Sequence, residues 1–213
     1  MSYSVKEIFY SLQGEGAQAG RPAVFCRFSG CNLWSGREGD RSTSLCRFCD
    51  TDFMGTDGPA GGEFHSPQDL ALAVKEQFPV TGTHPVSRLV VCTGGEPLLQ
   101  LDKPLLEAFH RFGLEIAVET NGTLLPPPGI DWICVSPKAQ TELKLRYGNE
   151  LKLVFPQEGL LPEIFESLDF TYFFLQPKDG PERKDNVQKA ARYCLRHPKW
   201  RLSLQIHKII GIP

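Results

Sequence analysis

Three cysteines stand where a metal centre could be built. Cys31 opens the run Cys31-Asn32-Leu33-Trp34, and after a polar, glycine-containing excursion Cys46-Arg47-Phe48-Cys49-Asp50-Thr51 supplies two more. Fourteen residues separate Cys31 from Cys46, two separate Cys46 from Cys49, and no fourth cysteine follows at matching spacing. A structural metal site is closed, whereas a catalytic one keeps a position for substrate or cofactor. Three thiolates therefore point to an iron–sulfur cluster with one iron free for chemistry. The rival reading is a structural zinc-binding interaction module with Cys26 as fourth ligand. Cys26, however, lies inside a strand-forming run on the face opposite Arg27. Cys92, Cys134 and Cys194 sit in apolar strand or helix contexts and read as buried small hydrophobes.

Further polar clusters punctuate the chain: Ser11-Leu12-Gln13-Gly14-Glu15-Gly16, Gly94-Gly95-Glu96-Pro97, Glu119-Thr120-Asn121-Gly122, Ser136-Pro137-Lys138 and Gln176-Pro177-Lys178-Asp179-Gly180. Each alone is also what an ordinary turn or polar loop looks like. A carboxylate such as Glu96 suits an ammonium, and Arg27 suits a carboxylate.

The elements that must position these groups follow from periodicity. Val5 to Tyr10 and Ala23 to Phe28 read as strands, the second with Phe25, Arg27 and Ser29 on one face and Val24, Cys26 and Phe28 on the other. Gly55 to Gly62 is a loop. Ser66-Pro67-Gln68-Asp69 starts a helix carrying Leu70, Val74 and Phe78. Strands follow at Arg88 to Thr93, Leu114 to Glu119, Trp132 to Val135, Leu151 to Phe155, Thr171 to Leu175 and Arg201 to His207, the last with Leu202, Leu204 and Ile206 on one face. Helices are expected from about Asp102 to Phe112, closed by Gly113, near Leu161 to Leu168, and from Asp185, in a capping box with Gln188, to about Arg196. Alternating strands and helices give a parallel sheet. The polar clusters fall just after strands, where (β/α) barrels build active sites. The chain's 213 residues fall short of the roughly 250 of a full barrel. The expected fold is α/β, an incomplete (β/α) barrel of about six parallel strands, as one domain over 1–213 without repeat or linker.

Bulk properties exclude several classes. Net charge is −2 with no Lys/Arg-rich block, so there is no electrostatic footprint for nucleic acid. No apolar run is long enough to span a membrane. The start lacks the regions of a signal peptide, and seven unevenly clustered cysteines are not a disulfide framework. A reducing cytoplasm is the expected setting.

Taken together, the three cysteines with Phe48 before the last, and Gly94-Gly95-Glu96-Pro97 after the next strand, resemble the radical S-adenosylmethionine (SAM) superfamily. The Ser11–Gly16, Gly30–Leu33, Cys49–Thr51, Glu119–Gly122 and Ser136–Lys138 motifs resemble, more narrowly, the 7-carboxy-7-deazaguanine synthase family across nearly the whole chain. That likeness implies a lyase converting 6-carboxy-5,6,7,8-tetrahydropterin to 7-carboxy-7-deazaguanine with loss of ammonia, in queuosine and other 7-deazapurine biosynthesis. It implies a 4Fe–4S cluster on Cys31, Cys46 and Cys49, and SAM held by Phe48, Cys49, Asp50, Gly95, Glu96, Ser136, Pro137, Lys138, Gln176, Pro177, Lys178 and Asp179. It implies substrate contacts from Leu12, Gln13, Gly14, Glu15, Arg27, Thr93, Glu119, His207 and the Pro213 carboxylate, with Mg2+ on Thr51. A flavodoxin- or ferredoxin-type electron donor and a homodimer are implied as well. A glycyl-radical-enzyme activase would share the cofactors but act on a protein in an open groove. One departure is large. The superfamily spaces its cysteines C-x3-C-x2-C, which here would place them at Ser35 and Glu38; an insertion from Trp34 to Leu45 re-routes the cluster loop, and its residues do not reveal its role.

Overall fold

The computed structural model describes residues 2–80 and 88–213. Along the chain lie β1 (Tyr3–Leu12), β2 (Pro22–Phe28), β3 (Gly62–Phe64), α1 (Pro67–Glu76), β4 (Arg88–Gly94), α2 (Lys103–Arg111) and β5 (Leu114–Thr120). Then come β6 (Trp132–Val135), β7 (Tyr147–Phe155), β8 (Asp169–Pro177), α3 (Arg183–Arg196), β9 (Trp200–Leu202) and α4 (Ile206–Ile210). The strands form one sheet in the order β3-β1-β2-β4-β5-β6-β7-β8-β9. From β2 to β9 every ladder is parallel, whereas β1 pairs antiparallel with both β2 and β3. Among the described residues no ladder joins β9 back to β3, so the barrel stays open.

Alternation along the strands sends their two faces to different fates. Val24, Cys26 and Phe28 join Val90, Cys92, Ile116 and Val118 beneath Leu70 and Val74 of α1 and Leu105 and Phe109 of α2. Leu151, Leu153, Phe173 and Leu175 form a second apolar group with Ala190 of α3 and Trp200. Each large side chain so buried contributes roughly 1.5–3 kcal/mol. The opposite face has only a small apolar floor of Ala23, Leu89, Val91 and Ala117. Above it the inward side chains turn polar: Arg27 beside Thr93, Glu119 beside Cys134, and Val154 beside Gln176.

Two helix starts stand where expected. Ser66 accepts a hydrogen bond from the Asp69 amide, and Asp102 accepts from the Leu105 amide at 3.0 Å and from the buried Tyr3 hydroxyl at 2.8 Å. Because one carboxylate caps α2 and satisfies Tyr3, Asp102→Ala is expected to cost about 2 kcal/mol, read by urea unfolding.

Three expectations are corrected. Only Trp200–Leu202 is strand; the chain then leaves the sheet as the Ser203 hydroxyl accepts from the Gly16 amide at 2.9 Å and the Ile206 amide donates to Gly14 O at 3.0 Å. His207 consequently lies on α4, not on a strand face. The helix expected near Leu161 to Leu168 is a single 3-10 turn, Pro162–Phe165, beyond which the Glu166 carboxylate accepts from the Trp200 indole. α3 starts at Arg183 with Glu182 as N-cap, so Asp185 lies in its first turn and closes no capping box. The short β3, at the end of the Gly55 to Gly62 loop, was not expected.

Candidate active site

The open face of the sheet surrounds a cavity of about 390 Å³. Its metal-ligating wall is the Cys31 to Cys49 stretch. The excursion from Trp34 to Leu45 is tied to itself rather than loose. The Leu45 and Cys46 amides both donate to Leu33 O, at 3.1 and 3.4 Å, returning Cys46 to the start of the loop. Trp34 packs edge-on against Phe53 with centroids 5.6 Å apart, and the Arg41 guanidinium lies 4.0 Å over the Trp34 ring. Arg41 also donates to Arg47 O at 3.1 Å and Cys49 O at 3.0 Å, joining the inserted turn to the last cysteine. The insertion thus closes a long sequence gap in space.

Cys31, Cys46 and Cys49 all line the cavity. The neighbouring Cys46 and Cys49 thiols drive each other apart, Cys49 down and Cys46 up, with the Lys138 ammonium favouring the thiolate of both. Burial pushes the Cys31 thiol up. Cys26 is completely buried in the core beneath α1 and α2, so it cannot complete a four-cysteine zinc site. Among the described residues, no three His, Cys, Asp or Glu side chains close around a single ion. The donor set is three soft thiols and no fourth, the chemistry of a cluster that leaves one iron for another ligand.

Next to the thiols runs the Gly94–Gly95 turn. A Cβ on Gly95 would lie 2.1 Å from Gly30 O and 2.8 Å from the Cys31 Cβ, so only glycine lets this backbone pass the cysteine loop. Lys138 donates at 2.7 Å to both the carbonyl and the hydroxyl of Ser136. Gln176 is buried, and its Oε1 has no partner among the described residues. A buried acceptor of that kind calls for a ligand N–H or O–H. Together, the Gly95 cradle, the thiols and the orphaned amide oxygen fit a cluster with a polar nucleoside-bearing cofactor beside it.

A charged network forms another part of the wall. Lys152, on β7, donates to Glu15 at 2.5 Å and lies 3.5 Å from Glu119. Gln13 donates to Glu119 at 2.9 Å and Gln176 to Glu15 at 3.2 Å. Burial alone would raise the Glu119 carboxyl, but the Lys152 ammonium and the Gln13 amide bring it below the usual glutamate value. Burial likewise works against the Lys152 ammonium, and Cys134 together with Glu119, Glu15 and Glu150 outweighs it and holds the group well above the ordinary lysine value. Arg27 is paired with Glu7 at 2.7 Å, its guanidinium 5.7 Å over the Phe9 ring, which stacks on Phe25.

The chain's end covers this face. Lys208 of α4 bridges Asp50 and Asp179, at 2.5 and 2.6 Å. Ser11 donates to Pro213 O at 2.7 Å, which seats Pro213 at the cavity. Gly14 lies under His207, where a Cβ would meet the ring at 2.2 Å.

Most expected residues line the cavity: Leu12, Gln13, Glu15, Arg27, Phe48, Asp50, Thr51, Thr93, Gly95, Glu119, Ser136, Lys138, Gln176, Pro177, Asp179, His207 and Pro213 join the three cysteines. Gly14, Glu96, Pro137 and Lys178 do not. Glu96 is fully buried, its carboxylate accepting from the Thr120 hydroxyl, the Asn121 amide and the Leu98 amide. Sequence reasoning missed Lys152 and Lys208. A lysine between Leu151 and Leu153 in a buried strand was a readable signal; for Lys208 there was none.

Comparison with known proteins bears on the same residues. No protein-family model matches the chain. It is 63% identical over 213 residues to a 7-carboxy-7-deazaguanine synthase of Caulobacter vibrioides, covering 100% of both chains. It is 62% identical, with the same coverage, to one of Bordetella pertussis. Among solved structures, QueE from Escherichia coli matches with a TM-score of 0.72 at 27% identity, covering 97% of this chain and 95% of that one. With matching length, fold and identity, the chain belongs to the 7-carboxy-7-deazaguanine synthase family of radical SAM enzymes.

Proposed function

We propose that the chain is the lyase that converts 6-carboxy-5,6,7,8-tetrahydropterin to 7-carboxy-7-deazaguanine with release of ammonia, in 7-deazapurine and queuosine biosynthesis. The observation that carries this is one cavity lined both by three thiols without a fourth and by a set of carboxylate, amide and ammonium groups suited to a pterin edge. Family membership implies a 4Fe–4S cluster and SAM. When bound, they would supply one-electron reduction and hydrogen-abstraction chemistry at the substrate.

The chain's own residues bind, orient and exclude water. Cys31, Cys46 and Cys49 hold the cluster. Phe48, Asp50, Gly95, Ser136, Lys138, Gln176, Pro177 and Asp179 bind SAM, while Pro137, Lys178 and Glu96 act from behind by shaping those loops. Gln13, Glu15 and Glu119 meet the ring's polar edge, and Leu12, Thr93 and His207 complete the pocket around it. Arg27 sets the end that carries the substrate carboxylate, and the Pro213 carboxylate meets the substrate elsewhere. Gly14 allows α4 to seat His207. Thr51 would hold Mg2+ through an oxygen, and the ion would supply a charge that orients the substrate carboxylate. The docked α4 favours a small molecule over the protein substrate of an activase. The protein acts as a single partial-barrel unit over 1–213, in the cytoplasm, as a homodimer, and takes electrons from a flavodoxin- or ferredoxin-type donor. Among the described residues no helix is long and apolar enough to cross a membrane.

The test is anaerobic purification and a visible spectrum, followed by addition of dithionite, SAM, Mg2+ and the carboxytetrahydropterin. The expected result is a brown protein that forms 7-carboxy-7-deazaguanine, with turnover falling when Mg2+ is chelated. Cleavage of SAM without deazaguanine overturns the substrate, and a colourless zinc protein overturns the radical chemistry.

A further inference from the structure

Lys152 is the least expected group in the cavity. It stands on β7 between Leu151 and Leu153, which point into the core under α3, and is only 5% exposed. Its side chain is 6% exposed, whereas those of its partners Glu15 and Glu119 are 15% and 24% exposed. All three line the cavity, and the carboxylates are the more open to it. Both are also anchored by amides: Gln13 donates to the Glu119 oxygen that Lys152 approaches, and Gln176 donates to the Glu15 oxygen that Lys152 leaves free. Other groups close by are Cys134 from β6, Glu150 from β7 itself and Lys138 from the loop after β6, with Arg27 of β2 acting on Glu119. Glu150 is spent on the Ala17 amide at 2.7 Å, which fixes the loop carrying Gln13 and Glu15.

We propose that Lys152 sets the hydrogen-bonding polarity of the substrate pocket: paired with Glu15 and Glu119, it keeps them as acceptors facing the cavity. The site then selects a ring whose edge offers adjacent N–H donors and rejects one that offers an oxygen there. The inference rests on the pterin reading above and deepens it. The 2-amino-4-oxo ring of a pterin presents N3–H and the exocyclic amino group side by side, matching a carboxylate, whereas a 2,4-dioxo ring presents an oxygen in place of the amine. Lys152 is thus a positioning and specificity residue that acts through the carboxylates.

Removing the ammonium takes away the largest influence opposing burial at Glu119, so its carboxyl shifts up toward the protonated form. It then offers a donor where the substrate also offers one. The test uses calorimetric titration of the cluster-loaded protein, under anaerobic conditions with SAM, against 6-carboxypterin and 6-carboxylumazine between about pH 5.5 and 7.5. Wild-type protein is expected to prefer the pterin by about 10- to 100-fold with little pH dependence. In Lys152→Met the preference falls below about threefold at the acid end, and pterin affinity rises about tenfold as pH rises and the carboxyl ionises. Lys152→Arg retains the wild-type behaviour. In Lys152→Met/Glu119→Gln the pH slope disappears, because the titrating group is gone. Should Lys152→Met not fold, Lys152→Gln, which still donates to Glu15, reads out the same slope. A neutral variant with unchanged preference and no slope overturns the role of Lys152 alone. Failure of the wild-type protein to bind carboxypterin overturns the substrate reading and the selectivity together.

Discussion

Cys46→Ala, purified without oxygen, is expected to come off the column nearly colourless, with iron and sulfide far below wild type and no detectable turnover, whereas Cys26→Ala stays brown and active. The two thiols are both buried, 5% and 0% exposed, so burial does not separate them; their neighbours do. Cys46 is drawn to the cavity by the hydrogen bonds of the Leu45 and Cys46 amides to Leu33 O and lines it together with Cys49. Two thiolates cannot replace three on a cluster that has no fourth protein ligand. Cys26 packs among Val24, Phe28 and Cys92, so its truncation costs about 1 kcal/mol of stability without touching iron. Arg41→Ala should fall between them, with partial cluster loading, because it removes the guanidinium from both Trp34 and Cys49 O. Iron and sulfide per chain, with the visible spectrum, check all three. Full loading in Cys46→Ala would reassign the ligand set.

What could be read in the sequence divides along physical lines. Groups whose chemistry is carried by residue type and strand phase were legible. Arg27 faces the cavity and Cys26 the core because side chains alternate along β2, and both assignments follow from position in one short run. The helix starts at Ser66 and Asp102 were equally legible, since a cap is a local event. Contacts between distant elements were not. Nothing near Lys208 announces that it bridges Asp50 and Asp179. The Leu202, Leu204, Ile206 alternation looked like a strand, yet Ser203 and Ile206 bond to the loop after β1 and the chain turns into α4. Likewise the inserted turn's tie to the last cysteine was not legible, because Arg41 donating to Cys49 O, eight residues on, is a contact that only the fold makes.

Glu96 shows where a motif and its geometry part, and the expected result distinguishes them. If the carboxylate bound the SAM ammonium directly, Glu96→Gln would lower SAM affinity and leave stability alone. The structure predicts that both fall together. One carboxylate oxygen accepts from the Leu98 amide at 3.0 Å and the Thr120 hydroxyl at 2.7 Å, the other from the Asn121 amide at 2.8 Å. A glutamine has one acceptor and one donor, so either orientation sets its NH2 group against a backbone N–H. In a fully buried setting that conflict costs about 2–3 kcal/mol, readable by denaturant unfolding of the cluster-loaded protein. The damage reaches the cofactor pocket because Asn121 donates to Asn32 at 3.0 Å, next to Cys31, and because the Glu96 amide donates to Gly30 O at 2.9 Å. SAM affinity, measured by equilibrium binding, should then drop about tenfold as the Gly94–Gly95 turn loosens against the cysteine loop. A drop in SAM affinity with wild-type stability would instead place the Glu96 carboxylate on the cofactor. The buried tie predicts the coupled loss because whichever amide loses its acceptor, Leu98 or Asn121, belongs to the network that holds the turn carrying Gly95.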